Sequence, residues 1–436
     1  MLKGIKCKKL ALFVGLLTTL LLIGASFYLR SADRARCTSA PDLRYVNITL
    51  IAHLFSNRDI DQSFDIYFPI PPDTENQKVI SLSFSTSPDE MLEDEWNQSI
   101  ARFKISSMKE GEIKQISMSC IVRLISIEYN VDPDEIGSLE EIPEEIRLLY
   151  TRDEGMYKIS DPVVVSAVND AIRGEQKVYD IVIRSHDYVI ERLSYKLDPR
   201  WDDAPTTLSK GEGSCSEYVF AFIALCRAAG VPSRFVGGTV IDPALAGTML
   251  RAELTDYTFH RWAEVYIPNY GWLPVDVTYD DGPDPREFLF SLPDTFFAFV
   301  RRGGYSKYLG WSYLPSLNPK VDGVLLRSRA LWTPILEAQE ALSCVHIAEK
   351  ILFQSDKVAN ISRVGEIREL IDKSLKELDK GEFSSALFYG RKALSMARDL
   401  EGSTEKDNTL LTGFLLILFS ILTVSLISKL RKAHIR

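Results

Sequence analysis

The chain has 436 residues, of which 46% are hydrophobic and 25% charged, so it has the composition of a globular protein long enough for two or three domains. Its formal net charge is -9, and no basic stripe runs through its central region. These properties argue against nucleic acid as a partner.

Two apolar runs lie near the ends of the chain, at 10–29 and 409–428, and each is long enough to cross a bilayer core. Lys and Arg residues precede the first run and follow the second, and such residues are retained on the cytoplasmic side. We therefore expect two transmembrane helices with cytoplasmic tails at 1–9 and 429–436. The protein would lie in the cell membrane, with its main domain extracytoplasmic and both termini cytoplasmic. A cleaved signal peptide is the alternative for the first run, and it too leaves the bulk of the chain outside.

Residues 40–130 predict an N-terminal β-sandwich, because several short segments alternate between apolar and polar positions. The predicted strands are Tyr45–Leu54, Phe64–Phe68, Val79–Phe84, Ile100–Ile105 and Ile113–Ile127. An acidic, proline-containing stretch from Asp132 to Glu145 is typical of a linker to the next domain.

A second domain is predicted over 155–330, where the periodicity changes to helical and then returns to strands. The predicted elements are a helix over Gln176–Tyr195, a short buried helix over Glu217–Ala229, and strands over Ser233–Ile241, Phe259–Ile267 and Gly271–Thr278. The buried helix is expected to end at Gly230, since glycine is a common C-terminal stop.

Residues 335–404 predict a helical domain. Apolar stripes at 367–378 and 383–394, separated by the turn at 379–381, indicate a helical hairpin of the tetratricopeptide type. A single such unit cannot form a binding solenoid, so we expect it to serve in packing or as a stalk.

Cys215 is placed at the start of the predicted buried helix, directly after Gly213 and Ser214. A thiolate is a nucleophile, and the open N–H groups and dipole of a helix N-terminus favour negative charge. The backbone N–H of Cys215 could contribute to an oxyanion hole. The alternative is an ordinary buried cysteine, the role that we expect for Cys226.

His260 and Asp276 lie on the two arms of a predicted hairpin. If Ile267 pairs with Gly271, Asp276 lies diagonally opposite His260 on one face, within side-chain reach. A slip of one residue would put them on opposite faces. We expect His260 to take the proton of Cys215 and Asp276 to fix the tautomer of His260.

Other candidates carry less weight. Trp262 is a candidate for lining a substrate channel, with core packing as the alternative. The acidic loop with Asp280, Asp281 and Asp284 lacks the ligand spacing of a calcium loop, so we expect a solvated turn there.

The sequence contains no CxxC pair, so a zinc ribbon is not indicated, and we expect neither a metal nor a cofactor. One or two disulfides are possible, with the pairing open, among Cys37, Cys120, Cys226 and Cys344.

These motifs resemble those of the transglutaminase-like superfamily. The G-x-C, R-x-x-G-[IV]-P-[AS]-R, H-x-W-x-E-V and W-x-x-x-D patterns correspond to residues 213–215, 227–234, 260–265 and 272–276. The resemblance covers roughly residues 160–290 and implies a papain-like α+β core with Cys215, His260 and Asp276 as the catalytic triad. It is closest in character to microbial, membrane-anchored members, in which a β-sandwich often precedes the core.

The resemblance implies acyl-thioester chemistry, which cross-linking acyltransferases, cysteine proteases, amidases and peptide N-glycanases of the superfamily share. We expect a membrane-anchored extracytoplasmic thiol enzyme that acts on amide bonds of protein or peptide through Cys215. Hydrolysis of the cysteine protease or amidase type is favoured over cross-linking transamidation. The alternatives are a catalytically silent surface interaction or assembly protein on the same scaffold, and an enzyme of glycan–peptide deamidation.

Overall fold

The structure is a computed structural model, and it describes residues 43–197, 200–241, 252–254, 259–355 and 361–401. The predicted transmembrane segments at 10–29 and 409–428, and both predicted tails, lie outside the described residues. Within the described part of the chain, no helix is both long and apolar enough to cross a membrane.

Strands make up the N-terminal part and recur through the middle of the chain. In chain order they are β1 (Leu43–Ser56), β2 (Phe64–Pro69), β3 (Gln77–Phe84), β4 (Glu90–Glu93), β5 (Ser99–Ile105), β6 (Ile113–Ile125), β7 (Ile127–Glu128), β8 (Ser194–Tyr195), β9 (Glu212–Gly213), β10 (Ser233–Val240), β11 (Ala252–Leu254), β12 (Phe259–Ile267), β13 (Gly271–Val275), β14 (Ser291–Leu292), β15 (Phe296–Arg302) and β16 (Val324–Pro334).

The helices fall into a central group and a C-terminal group. They are α1 (Glu144–Tyr150), α2 (Pro162–Ile172), α3 (Val178–Arg192), α4 (Ala204–Lys210), α5 (Cys215–Ala228), α6 (Leu336–Ser355), α7 (Ile361–Asp379) and α8 (383–401). The expectation of an α+β fold that ends in helices is confirmed.

Two antiparallel sheets occupy the region of the predicted β-sandwich. One has the strand order β11-β16-β1-β6-β3 and the other β2-β5-β4. Phe84 of β3 packs edge-on against Phe103 of β5, with ring centroids 5.6 Å apart. The larger sheet extends beyond the predicted interval 40–130, because β1 pairs with β16 from Val46–Pro334 to Ser56–Val324. A strand that follows the central domain therefore covers an edge that β1 would otherwise expose.

The central domain is built on the antiparallel sheet β13-β12-β10-β15. Helix α5 packs against β10 and β12 on one side and against α2, α3 and α4 on the other. All of its residues from Cys215 to Arg227 are buried as a result. An apolar pattern around the whole helix is typical of this doubly covered position.

The C-terminal helices form their own apolar cluster. Ile367 and Ile371 of α7 pack with Ala348 of α6 and Ala393 of α8. The predicted hairpin corresponds to α7 and α8, and α6 is added to it. Tyr45 of β1 packs edge-on against Phe383 of α8 at 5.6 Å, so the group is attached to the larger sheet.

The cysteines do not form the expected disulfides within the described residues. The free thiols are those of Cys120, Cys215, Cys226 and Cys344, and all four are buried. Cys37 lies outside the described residues. Burial raises the pKa of Cys120 and of Cys226 to about 12, so both thiols stay protonated and behave as apolar core groups.

Candidate active site

Helix α5 begins at Cys215, and the residues around it fix that start. The N–H and Oγ of Ser214 both donate to Oε2 of Glu217, at 2.8 and 2.5 Å. The other oxygen of this buried carboxylate accepts from the N–H of Asp202 at 3.1 Å. A Cβ at Gly213 would lie 2.5 Å from Cβ of Glu217, so position 213, directly before Ser214, has room only for glycine. The thiol is thereby held at the positive end of the helix.

The hairpin of β12 and β13 brings His260 and Asp276 together. The predicted pairing of Ile267 with Gly271 is confirmed, and the register continues to Ala263–Val275. Asp276 follows directly, and its Oδ2 lies 2.5 Å from Nε2 of His260.

The carboxylate of Asp276 is fully buried and held at both oxygens. While Oδ2 binds His260, Oδ1 accepts from the N–H groups of Thr278 and Tyr279 at 3.1 and 3.2 Å. These backbone contacts allow little rotation of the carboxylate. The fixed carboxylate of Asp276 consequently fixes the orientation of the imidazole.

Cys215 and His260 are also buried, with 5% and 6% of their surfaces exposed. Since Nε2 of His260 binds Asp276, Nδ1 is the ring nitrogen left for the sulfur. Burial raises the pKa of Cys215, but the hydrogen bond and charge of His260, followed by the charge of Arg261, lower it to a net value below the ordinary one. Burial lowers the pKa of His260, but the charge and hydrogen bond of Asp276 outweigh it and raise the pKa to about 10. Both shifts favour a thiolate–imidazolium pair at neutral pH.

Two residues near the triad were missed by the sequence analysis. Tyr279 stacks on the ring of His260, with centroids 4.5 Å apart and planes inclined by 21°. Arg261 donates from Nη1 to Sγ of Cys215 at 3.6 Å. A basic residue directly after the candidate histidine, within a strand, was the available sign for Arg261.

Trp262, the weaker sequence candidate for substrate binding, lies in the core. It is 1% exposed and packs edge-on against Phe296, with ring centroids 5.3 Å apart. Its ring lies 6.4 Å from that of His260. Trp262 therefore packs beside His260 inside the fold and does not line an open channel.

The acidic loop after Asp276 is exposed at Asp281 and Asp284, as expected of a solvated turn, but not at Asp280. Asp280 is fully buried, and its Oδ2 lies 2.9 Å from Nε2 of His186 in α3. Asp281 accepts from the hydroxyl of Tyr218 in α5 at 2.6 Å. The expectation of a solvated turn is wrong at Asp280 alone, because its partner comes from a helix far away in the chain. Within the described residues, no group of three or more His, Cys, Asp or Glu side chains could hold a metal ion.

Comparisons with known proteins find a family match in the central domain and relatives over parts of the chain. Residues 166–277 match the model of the transglutaminase-like superfamily. A protein-glutamine gamma-glutamyltransferase from Pseudomonas aeruginosa is 39% identical over 78 residues, which are 17% of this chain and 11% of that protein. The match thus spans only about a tenth of that relative.

Solved structures align over longer stretches at low identity. A candidate cysteine protease from Cytophaga hutchinsonii is 14% identical, and the alignment covers 67% of this chain and 91% of that one with a TM-score of 0.45. The periplasmic domain of TgpA from Pseudomonas aeruginosa is 16% identical, with coverages of 58% and 94% and a TM-score of 0.29.

Proposed function

Residues 166–277 of this chain are a transglutaminase-like domain, and on that premise we propose that the protein is a thiol enzyme that cleaves amide bonds of proteins or peptides through an acyl-thioester on Cys215. The observation that carries the proposal is the buried series of contacts from Asp276 through His260 to Cys215. Each member is held by groups that do not take part in the reaction, as a preorganised site requires.

In the acylation step the thiolate of Cys215 attacks the carbonyl carbon of the amide. The S–C bond forms, and the π electrons of the carbonyl move onto oxygen. When the oxyanion collapses, the C–N bond breaks and the imidazolium of His260 gives its proton to the leaving amine. Asp276 stabilises the imidazolium before this transfer and keeps Nδ1 directed at the sulfur.

In the second step an acceptor resolves the thioester, and we propose that the acceptor is water. The neutral His260 takes a proton from the water as it attacks, the C–S bond breaks, and the free acid leaves with Cys215 again a thiolate. A primary amine in place of water would give cross-linking. The buried triad is compatible with both acceptors, so the identity of the acceptor has to be read from the reaction products.

The proposal includes anchoring in the cell membrane with the catalytic domain extracytoplasmic and both termini cytoplasmic. The two apolar segments at 10–29 and 409–428 and the Lys and Arg residues that flank them support it. Substrates would then be proteins or peptides outside the cytoplasm. Protease accessibility in sealed, oriented vesicles tests it, since the outer domain should be digested while both tails remain protected.

The reaction is tested with the purified full-length chain in detergent. A glutamine-containing protein is incubated with the enzyme in the presence of a fluorescent primary amine, and mass spectrometry detects new N-termini, deamidated glutamine and incorporated amine. Hydrolysis predicts new N-termini or deamidated glutamine, whereas transamidation predicts incorporated amine. Cys215→Ala is the inactive variant, and Cys226→Ala is its control because it removes a buried thiol outside the triad. Equal product formation by wild type and Cys215→Ala would leave the catalytically silent binding protein as the better account.

A further inference from the structure

Arg261 is a buried cation with an unusual set of neighbours. It is 8% exposed, and Cζ of its guanidinium lies 4.3 and 4.5 Å from the ring centroids of Trp201 and Tyr313. Its Nη1 donates to Sγ of Cys215, and its Nε has no hydrogen-bond partner. Within the part of the chain that the structure describes, no carboxylate pairs with it. Because an isolated buried charge is costly, this arrangement calls for an anion at the sulfur.

Arg261 supplies the cation that balances the charges of the triad itself. A thiolate on Cys215 and the carboxylate of Asp276 carry two negative charges, and the imidazolium of His260 supplies one positive charge. Arg261 supplies the second, so the triad and Arg261 together carry no net charge. The thiolate is therefore the counter-ion of the guanidinium before substrate binds.

We propose that Arg261 is a catalytic residue that stabilises the thiolate of Cys215 in the free enzyme and the substrate oxyanion in the tetrahedral intermediate. As the S–C bond forms, negative charge leaves sulfur and appears on an oxygen two bonds away. A donor that already reaches the sulfur can follow that charge with a small shift. When the intermediate collapses, the oxygen regains its double bond and the leaving nitrogen receives its proton from His260. Arg261 transfers no proton in either direction.

The aromatic neighbours explain how one side chain can serve both states. Trp201 and Tyr313 both lie within cation–π distance of the guanidinium, and this contact stabilises its charge without using its N–H groups. The in-plane donors remain available for an anion at the sulfur. A lysine could supply the charge, but it lacks the planar fork of donors.

The inference rests on the proposed function, since an oxyanion arises only if Cys215 attacks a carbonyl. Two probes separate the two ideas in the full-length chain. The first is the ratio of alkylation rates of Cys215 by iodoacetate and iodoacetamide, which differ in charge. The second is protection of Cys215 by N-acetyl-glycinal, a neutral aldehyde that forms a tetrahedral adduct with a thiol.

We expect Arg261→Met to lower the iodoacetate-to-iodoacetamide ratio by at least about tenfold, because a cation near the sulfur attracts the anionic reagent. We expect it to weaken aldehyde protection by roughly hundredfold, the lower end of the loss in turnover that removal of one oxyanion donor causes. Arg261→Lys should keep the ratio and lose part of the aldehyde affinity. Arg192→Met removes a charge from an exposed site on α3 and should change neither readout.

The outcomes are distinct. If Arg261→Met changes neither readout while His260→Ala still abolishes the low pKa of Cys215, Arg261 only packs the site and the proposed function survives. If wild-type Cys215 reacts as an ordinary thiol and His260→Ala makes no difference, both ideas fail. Should Arg261→Met lose its cooperative thermal transition, Arg261→Gln provides the neutral variant. The alkylation ratio and the aldehyde protection are then measured on that variant, with the same expected outcomes.

Discussion

His186 and Asp280 form an ion pair in which both side chains are fully buried, with Nε2 and Oδ2 2.9 Å apart. The other ring nitrogen of His186 contacts Asp187 at 3.0 Å. Asp280 also accepts from the N–H of Phe288 at 2.8 Å, and its own N–H donates to the carbonyl of Asp276 at 3.1 Å. Helix α3 thus holds the loop that begins with the carboxylate of the triad.

His186→Leu should destabilise the protein, because it leaves the carboxylate of Asp280 buried without its partner. Breaking a buried pair in this way costs about 3–5 kcal/mol of unfolding free energy, and chemical denaturation measures it. The double variant with Asp280→Asn should recover part of the loss. Additive effects of the two changes would contradict the pairing.

The contribution of His186 to stability should depend on pH. Burial lowers the pKa of His186, but hydrogen bonds and charge from Asp187 and Asp280 raise it to a net value above the ordinary 6.5. The folded state therefore binds the proton more tightly than the unfolded state does. The stabilisation is fully present below 6.5 and is lost as the pH rises through the folded pKa. Thermal melting of wild type and His186→Gln over pH 5–9 should show a difference that narrows toward the alkaline end.

Asp276→Asn should leave Cys215 in place but remove its activation. Without the carboxylate, the pKa of His260 falls from about 10 toward or below its ordinary value, and the thiolate loses its cationic partner. We expect turnover to fall on the order of 10³- to 10⁴-fold, as in other triads. Iodoacetamide labelling across pH should place the apparent pKa of Cys215 higher than in wild type. An unchanged labelling profile would show that Asp276 does not control the thiol.

Tyr279 should act through its ring alone. Burial, followed by the charge of Asp276, raises the pKa of its hydroxyl to about 12, so the group is neutral at physiological pH. Tyr279→Phe keeps the stacking on His260 and should retain activity within about twofold. Tyr279→Ala opens the site to water and should lower turnover more than tenfold, or about 1.4 kcal/mol in the barrier. A large loss in the Phe variant would instead assign a role to the hydroxyl.

Gly213→Ala should disturb the start of α5, since the added Cβ would lie 2.5 Å from Cβ of Glu217. We expect a loss of about 1–3 kcal/mol in unfolding free energy, as for other overpacked sites, and slower alkylation of Cys215. Gly155→Ala is the matched control, because a Cβ there meets no atom within 4 Å. Equal melting temperatures for the two variants would argue against the close approach at 213.

Much of the local structure was predictable because it follows from short-range patterns. Alternation predicted the strands β1, β2, β3, β5, β6 and β12. The hairpin has the register that the sequence analysis assumed, with Ile267 opposite Gly271, and this register brings His260 to Asp276. The glycine after the apolar helix predicted where α5 ends. In each case, neighbours within a few residues decide the conformation.

Only the tertiary structure decided the contacts between segments distant in the chain. The pairing of β1 with β16 joins residues on either side of the central domain, and the pair of His186 and Asp280 joins a helix to a loop 94 positions later. Arg261 could be recognised as a neighbour of Cys215 only once β12 was packed against α5. Periodicity tells which face of an element is buried, but it does not tell which partner covers that face. Burial against the partner then determines whether an acidic loop is solvated and whether an arginine becomes part of an active site.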